Sequence, residues 1–325
     1  MAEELWTVQR LLVWTTGFFT KKGIEAPRRT AEILLSHVLG EDRVHLYMDF
    51  ERPLNQEERG RFRELVQRRA AREPTDYLTG HRGFFGLDFA VDPRVLVPRP
   101  ETEQLVELAL SRLPPGQKAA AGSDESAPSD QEGLSQESAC ETEMREAGNS
   151  GADEVHHVLD LCSGSGCVGI AIAANRPNAA VVASDISRDA LAVAEINAEK
   201  NGVRDRISFR CGDLFETLRS GELFDVIVSN PPYVRRGIIP TLSPEVRREP
   251  VIALDGGADG LDLIRSIASG AGNFLRPGGT LCMEIGDEQG EMVRQILIEA
   301  GFSEVLIEKD FAGLDRIASG RKAMK

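Results

Sequence analysis

Aromatic residues are scarce, with 2 Trp and 3 Tyr in 325 positions, and there are only 5 cysteines. Cys140, Cys162, Cys167, Cys211 and Cys282 are odd in number and contain no Cys-x-x-Cys pair. That excludes a disulfide framework as the organising device and gives no zinc spacing. His37, His45 and His81 lack partners at ligand spacing, so no metal is expected. Long apolar runs are missing too: Val168 to Ala174 falls far short of the roughly 20 residues that cross a bilayer. Glu3 and Glu4 precede any apolar run, where a secretory signal carries bases and a transit peptide avoids acids. A reducing, cytoplasmic setting and no membrane partner are the expectations. Basic charge is short as well, at 38 Lys and Arg against 52 Asp and Glu, a net of −14. Such a balance repels nucleic-acid phosphates, so no stable nucleic-acid binding is expected. What is present, 41% hydrophobic and 28% charged residues, is ordinary globular composition and excludes a fibrous or wholly disordered chain. The length allows about two domains.

The acidic excess is uneven. Residues 113–154 hold ten acids and two bases, a net of −8, while 1–112 hold 17 bases and 18 acids, and 155–325 hold 19 and 24. Segment 113–154 is rich in Ser, Glu, Gly and Ala and almost lacks large apolar residues. It cannot bury enough surface to offset its ordering entropy and reads as a disordered acidic insert.

Residues 1–80 read as a helical domain. Pro27 suits a first helical turn, and Ala31, Leu34, Leu35 and Val38 form one face before Gly40 ends it. Asn55 and Glu58 form a capping pair. Phe62, Leu65, Val66 and Arg69 then recur at helical spacing. Arg59, Arg61, Arg63, Arg68, Arg69 and Arg72 read as a solvated outer face, and Trp6 and Trp14 as core. Residues 81–112 form a hairpin and linker. Within it, 83–97 switch to strand chemistry (Phe84, Phe85, Leu87, Phe89, Val91, Val95, Val97), punctuated by Gly86 and Pro93.

From 155 to 325, strand and helix alternate. Strands are expected at 155–161, 181–184, 207–210, 224–229, 280–285, 305–308 and 314–319, and helices at 168–175, 189–201 and 288–300. This alternation predicts an α/β fold with a mostly parallel sheet covered on both faces.

Asp160-Leu161-Cys162-Ser163-Gly164-Ser165-Gly166 follows a strand and opens a helix. Glycines there allow a ligand close to the backbone. Gly164, Gly166 and Gly169 fit the dinucleotide GxGxxG spacing, so a nicotinamide cofactor is formally open. Asp160 ahead of the loop suits a cationic amine. Asp185, ending the next strand, suits ribose hydroxyls, though it would serve a dinucleotide equally. Asp213 follows the strand after that. Three acids at successive strand ends fit a ligand with an amine, a ribose and an adenine, as in S-adenosylmethionine.

Asn230-Pro231-Pro232-Tyr233 follows an apolar strand. Prolines cannot continue the ladder, and they make a rigid turn at a strand's carboxyl end, where open α/β sheets bind ligands. A planar amide or aromatic amine is a poor nucleophile because its lone pair is delocalised. The Asn230 side-chain carbonyl and the Pro231 backbone carbonyl can each accept one of its N–H bonds, and Pro231 and Pro232 hold both acceptors rigid. Tyr233 offers a flat wall to the planar group. Asn230, Pro231 and Tyr233 are the expected catalytic residues.

These motifs resemble the release-factor glutamine N5-methyltransferases, the HemK/PrmC family. The similarity runs through Glu73 to Gly80, Leu96 to Glu103, Asp160 to Gly166 (with Cys162 where the family more often has Gly), Asp185, Asp213-Leu214, Asn230 to Tyr233, Glu249-Pro250, Ala253-Leu254 and Gly256 to Leu261. It implies a helical N-terminal domain that recognises the release factor, joined by a hairpin to a seven-stranded class I methyltransferase (Rossmann-like) domain. It implies methyl transfer from S-adenosylmethionine to the Gln nitrogen of a Gly-Gly-Gln loop, leaving S-adenosylhomocysteine. Cofactor binding carries over to Asp160, Cys162, Ser163, Gly164, Ser165, Gly166, Asp185, Asp213, Leu214 and Asn230, and substrate binding to Asn230, Pro231, Pro232 and Tyr233. A monomer is expected. The rivals are an N6-adenine DNA or RNA methyltransferase, whose exocyclic amine meets the same acceptors, an NAD-dependent oxidoreductase, and a non-catalytic binding scaffold.

Overall fold

The computed structural model describes residues 5–113 and 155–324. The expected acidic insert, apart from Leu113, lies outside the described residues.

The first helices are α1 (Val8–Lys21), α2 (Pro27–Leu39), α3 (Arg43–Met48), α4 (Gln56–Ala70) and α5 (Thr75–Thr79). They surround a core of their own that includes Leu12, Phe19, Leu34, Leu35 and Phe62. Burying each such side chain contributes roughly 1.5–3 kcal/mol. Pro27 opens α2 and Gly40 closes it at φ +67°, a left-handed turn that Gly adopts without strain. Asn55 Oδ1 accepts from the Glu58 N–H, and Glu58 returns the bond to the Asn55 N–H, both at 2.9 Å. Two expectations change here. Trp14 is half-exposed and stacks on Phe18 instead of entering the core. The arginine face is not uniformly solvated, because Arg69 is buried and reaches the second half of the molecule.

Strands β1 (His81–Phe84) and β2 (Leu87–Ala90) form the hairpin. Phe85 and Gly86 turn it with positive φ at both positions, the geometry that matches strand twist. Strand pairing ends at Ala90. Val91, Val95 and Val97 are buried without a ladder, since Pro93 removes a donor and the Val95 N–H turns back to the Asp92 carbonyl.

The larger unit contains α6 (Glu103–Arg112), β3 (His156–Leu161), α7 (Cys167–Asn175), β4 (Ala179–Asp185), α8 (Arg188–Lys200), β5 (Ile207–Cys211), β6 (Phe224–Ser229), α9 (Asp262–Ala271), β7 (Leu275–Glu284), α10 (Gly290–Glu299), β8 (Ser303–Lys309) and β9 (Asp315–Arg321). The sheet order is β5-β4-β3-β6-β7-β9-β8. The first five are parallel, and β9 pairs antiparallel with both β7 and β8. The sheet thus has the seven strands that the resemblance implies. Helices α6 and α9 are not among the expected helices, although Ile264, Ile267, Ala268 and Ala271 of α9 recur at helical spacing.

Chain direction across the sheet reverses between β3 and β6, and such a switch point opens a crevice at the strands' carboxyl ends. Parallel register sets Leu161 beside Ser229. The Ser229 hydroxyl donates to the Leu161 carbonyl at 2.8 Å. The loops that begin at Cys162 and Asn230 therefore leave the sheet side by side.

Candidate active site

The crevice is a cavity of about 560 Å³. Asp160, Cys162, Ser163, Gly164, Ser165, Asp185, Asp213, Leu214, Asn230 and Pro232 all line it. Gly166, Pro231 and Tyr233 are not in its wall.

The glycine loop is held by its own acids. Asp160, buried at the end of β3, accepts the Gly169 N–H at 2.9 Å. A side chain on Gly169 would put Cβ 2.9 Å from that carboxylate oxygen and 3.1 Å from Val181, so only glycine lets the helix come this close. Burial pushes the Asp160 carboxyl up to about 7, against which the Gly169 N–H works. Asp185 accepts the Gly164 N–H with one oxygen and the Ser187 N–H with the other, both at 2.8 Å. Burial raises its pKa as well. Gly166 serves packing: a Cβ there would sit 2.9 Å from Ile170 and 3.0 Å from Ala194 of α8.

Two non-glycine residues in the cavity wall have left-handed backbones, Cys162 at φ +57° and Leu214 at φ +41°. Each costs on the order of 1–3 kcal/mol, and such strain concentrates at ligand sites. Burial, then the charge of Asp185, pushes the Cys162 thiol up to about 12, so it stays protonated and is no nucleophile.

Asn230 begins directly after β6. Its Nδ2 donates to Thr102 Oγ1 at 3.2 Å. Thr102 in turn donates to buried Glu284 at 2.6 Å, and the Tyr233 hydroxyl donates to the other Glu284 oxygen at 3.0 Å. Burial raises the Tyr233 phenol well above its ordinary value, with the Glu284 charge adding to this, so it keeps its proton. The Tyr233 carbonyl accepts Gln289 Nε2 at 3.0 Å. Gly256 and Gly260 press their backbone onto the same turn: a Cβ on them would lie 2.7 Å from the Pro232 carbonyl oxygen and 2.4 Å from that of Tyr233. The turn is thus braced from behind while Asn230 and Pro232 face the cavity.

At the mouth, buried Glu249 accepts Arg99 Nη2 at 2.5 Å and the Val97 N–H at 3.1 Å. Pro98, Arg99 and Pro250 to Ala253 complete that wall. Thr102, Glu249 and Glu284 are site residues that residue-by-residue reading of the sequence did not single out. Thr102 and Glu249 do lie inside motifs that carry the family resemblance, and Glu284 has no such signal.

The fit to S-adenosylmethionine is good on this geometry. Asp160, a buried acid that accepts only the Gly169 N–H and has no cationic partner among the described residues, suits a cationic amine. The Asp185 carboxylate is anchored through both oxygens, to the Gly164 and Ser187 N–H groups, and lines the cavity. The buried Ser163 hydroxyl has no hydrogen-bond partner among the described residues.

The PrmC N-terminal domain family matches residues 10–80, and the methyltransferase small domain family matches residues 149–241. The release factor glutamine methyltransferase of Geobacter sulfurreducens is 42% identical over 98% of this chain and 98% of its own length. The chain belongs to the release factor glutamine methyltransferase family. Relatives of the same name from Chlorobaculum tepidum, 40% identical over 97% of each chain, and Neisseria gonorrhoeae, 40% identical over 91% of this chain and 93% of its own, belong with it. As a methyltransferase of this family the protein is an enzyme. Among the described residues, no helix is long and apolar enough to cross a membrane.

Proposed function

We propose that this chain transfers a methyl group from S-adenosylmethionine to the side-chain amide nitrogen (N5) of the Gln in the Gly-Gly-Gln motif of peptide-chain release factors. The observation that carries this reading is the shared cavity, whose wall includes both Asn230 and the acid-held glycine loop.

In this reading Asp160 meets the cofactor's ammonium group, Asp185 its ribose hydroxyls, and Asp213 and Leu214 its adenine, with the 162–166 loop beneath. Bound there, the cofactor supplies an electrophilic methyl carbon on a sulfonium. The protein's part is to make the amide nitrogen a usable nucleophile. The Asn230 side-chain carbonyl, in the cavity wall, and the carbonyl of Pro231, which sits between the lining residues Asn230 and Pro232 without lining the cavity itself, each accept one of the two amide hydrogens. They aim the nitrogen and stabilise the positive charge that grows on it as the N–C bond forms and the C–S bond breaks, until one of its two protons is lost to water. Fixed acceptors of this kind are worth about 10²–10³-fold in rate when one is removed. Pro231 and Pro232 prevent the acceptors from relaxing. Tyr233 acts from behind, through Glu284, to keep the turn in place. Cys162 and the other thiols take no part.

The helical domain is the recognition domain for the release factor, and the enzyme works as a cytoplasmic monomer without stable nucleic-acid binding. A flipped adenine amine would satisfy the same acceptors. Full-length family membership and a net charge of −6 outside segment 113–154 favour the protein substrate. The test is tandem mass spectrometry of a purified release factor incubated with enzyme and S-adenosylmethionine. The expected result is the mass of one added methyl group on the Gly-Gly-Gln side chain. An unmodified Gln, with methylated adenine in a parallel oligonucleotide incubation, would overturn the reading.

A further inference from the structure

The two ends of the Asn230 carboxamide are chemically opposite: Oδ1 only accepts and Nδ2 only donates. Whichever end faces the cavity decides whether the wall can hold an N–H. Nothing in the side chain's shape fixes that choice, because the two orientations are nearly isosteric. Its neighbours do fix it. Glu284 is buried, and each of its oxygens has one partner, Thr102 at 2.6 Å and Tyr233 at 3.0 Å. A carboxylate accepts only, so both hydroxyls must point their hydrogens at it. Burial, the largest influence, holds the Glu284 pKa above its ordinary value against the Thr102 and Tyr233 hydroxyls and the nearby Arg316 charge, so the relay operates at a pH where Glu284 is ionised. Thr102 has one hydroxyl hydrogen and spends it on Glu284. Toward Asn230, 3.2 Å away, it can then only accept, and only Nδ2 can lie there. Thr102 is itself buried, so no bulk solvent competes.

We propose that Glu284 and Thr102 are positioning residues that set the direction of the Asn230 amide, keeping its oxygen toward the cavity and making the site an acceptor for N–H groups. The relay runs one way, Asn230 to Thr102 to Glu284, because an ionised carboxylate has no hydrogen to return to Thr102, and Tyr233 donates to its other oxygen. The inference deepens the proposed function and rests on its assignment of Asn230 as an acceptor of the substrate amide.

The Glu284→Gln variant would let a side-chain NH₂ donate to Thr102, freeing the Thr102 hydrogen for Asn230 Oδ1 and turning the amide round. Thr102→Val removes the hydroxyl, and Thr102→Ser restores it. Two readouts are taken on the full chain. The first is hydrogen exchange of the Asn230 side-chain NH₂ by nuclear magnetic resonance, without substrate. The second is kcat and KM for a release factor, with S-adenosylmethionine affinity as the control. Slow exchange is expected in the native chain and in Thr102→Ser, and fast exchange in Thr102→Val. Thr102→Val and Glu284→Gln should lose about 10²-fold in kcat, Thr102→Ser should recover most of it, and cofactor affinity should stay within about threefold, as expected for a local reorientation. Native kcat and slow exchange in Thr102→Val would overturn the inference, as would a Thr102→Ser variant as impaired as Thr102→Val. If Glu284→Gln does not fold, the two Thr102 variants decide alone. If the exchange pattern holds while the native chain leaves Gln unmodified, the proposed function fails and the relay stands.

Discussion

Arg69, near the end of α4, is paired with Glu245 of the catalytic unit at 2.9 Å, and its side chain is only 6% exposed. Arg72 adds a second bond to the same carboxylate at 3.1 Å. A few residues on, Glu249 grips Arg99 of the cavity wall and the nearby Val97 N–H. One short stretch, 245–249, thus ties the helical domain to the mouth of the site.

Glu245→Ala leaves the Arg69 charge buried without its carboxylate. Losing a hydrogen bond to a charged group costs about 1.5–3 kcal/mol, and Glu245 is mostly shielded from solvent screening. The expected outcome is lower stability in denaturant unfolding and a higher KM for the release factor, with cofactor affinity unchanged. Unaltered stability and KM would mean that the two units do not depend on this clamp.

Cofactor binding should follow the protonation of Asp160. Its carboxyl lies near 7 in the folded protein because burial disfavours the charge. A cationic ligand needs the ionised form. Affinity for S-adenosylmethionine should therefore rise with pH and level off above about 7, with a proton released on binding below that point. Calorimetry in buffers of different ionisation enthalpy measures the proton count directly. The ligand-free protein should show the opposite sign in stability. A group with a raised folded pKa binds more protons folded than unfolded, so its contribution is full below the ordinary carboxylate value and is lost as pH rises toward 7. Asp185, Glu249 and Glu284 are raised too and act in the same direction. Affinity flat across pH 7 would remove Asp160 from the ammonium site.

Gly169→Ala should be costly although the residue sits in a helix, where alanine is normally favoured. The added carbon meets the Asp160 carboxylate at 2.9 Å and Val181 at 3.1 Å. Overpacking of this kind costs about 1–3 kcal/mol, and it also displaces the acid that faces the cofactor. Lower stability combined with weakened cofactor binding is expected in thermal unfolding with and without S-adenosylmethionine. A variant as stable as the native chain would show that the loop and helix have slack.

Much of this was legible in the sequence because the signals were local. Pro27, Gly40 and the Asn55–Glu58 cap mark helix ends within a few residues of each other, and the β3 to α7 loop announces itself by glycines after an apolar strand. The hairpin expectation ran too far because Val91, Val95 and Val97 have strand chemistry yet are buried against Tyr77, Ala190 and Val193 without a ladder. Glu284 could not be read at all. It ends an apolar strand, and the partners that give it meaning, Thr102 and Tyr233, are 182 and 51 residues away. Arg69 was legible as helical but not as a clamp, since Glu245 lies 176 residues on.

The most direct test of the whole account is the single-turnover rate of methyl transfer to a release factor by Asn230→Ala, alongside its affinity for S-adenosylmethionine. The account predicts a rate lower by about 10²–10³-fold with cofactor affinity only modestly reduced. Transfer at the native rate by that variant would contradict it.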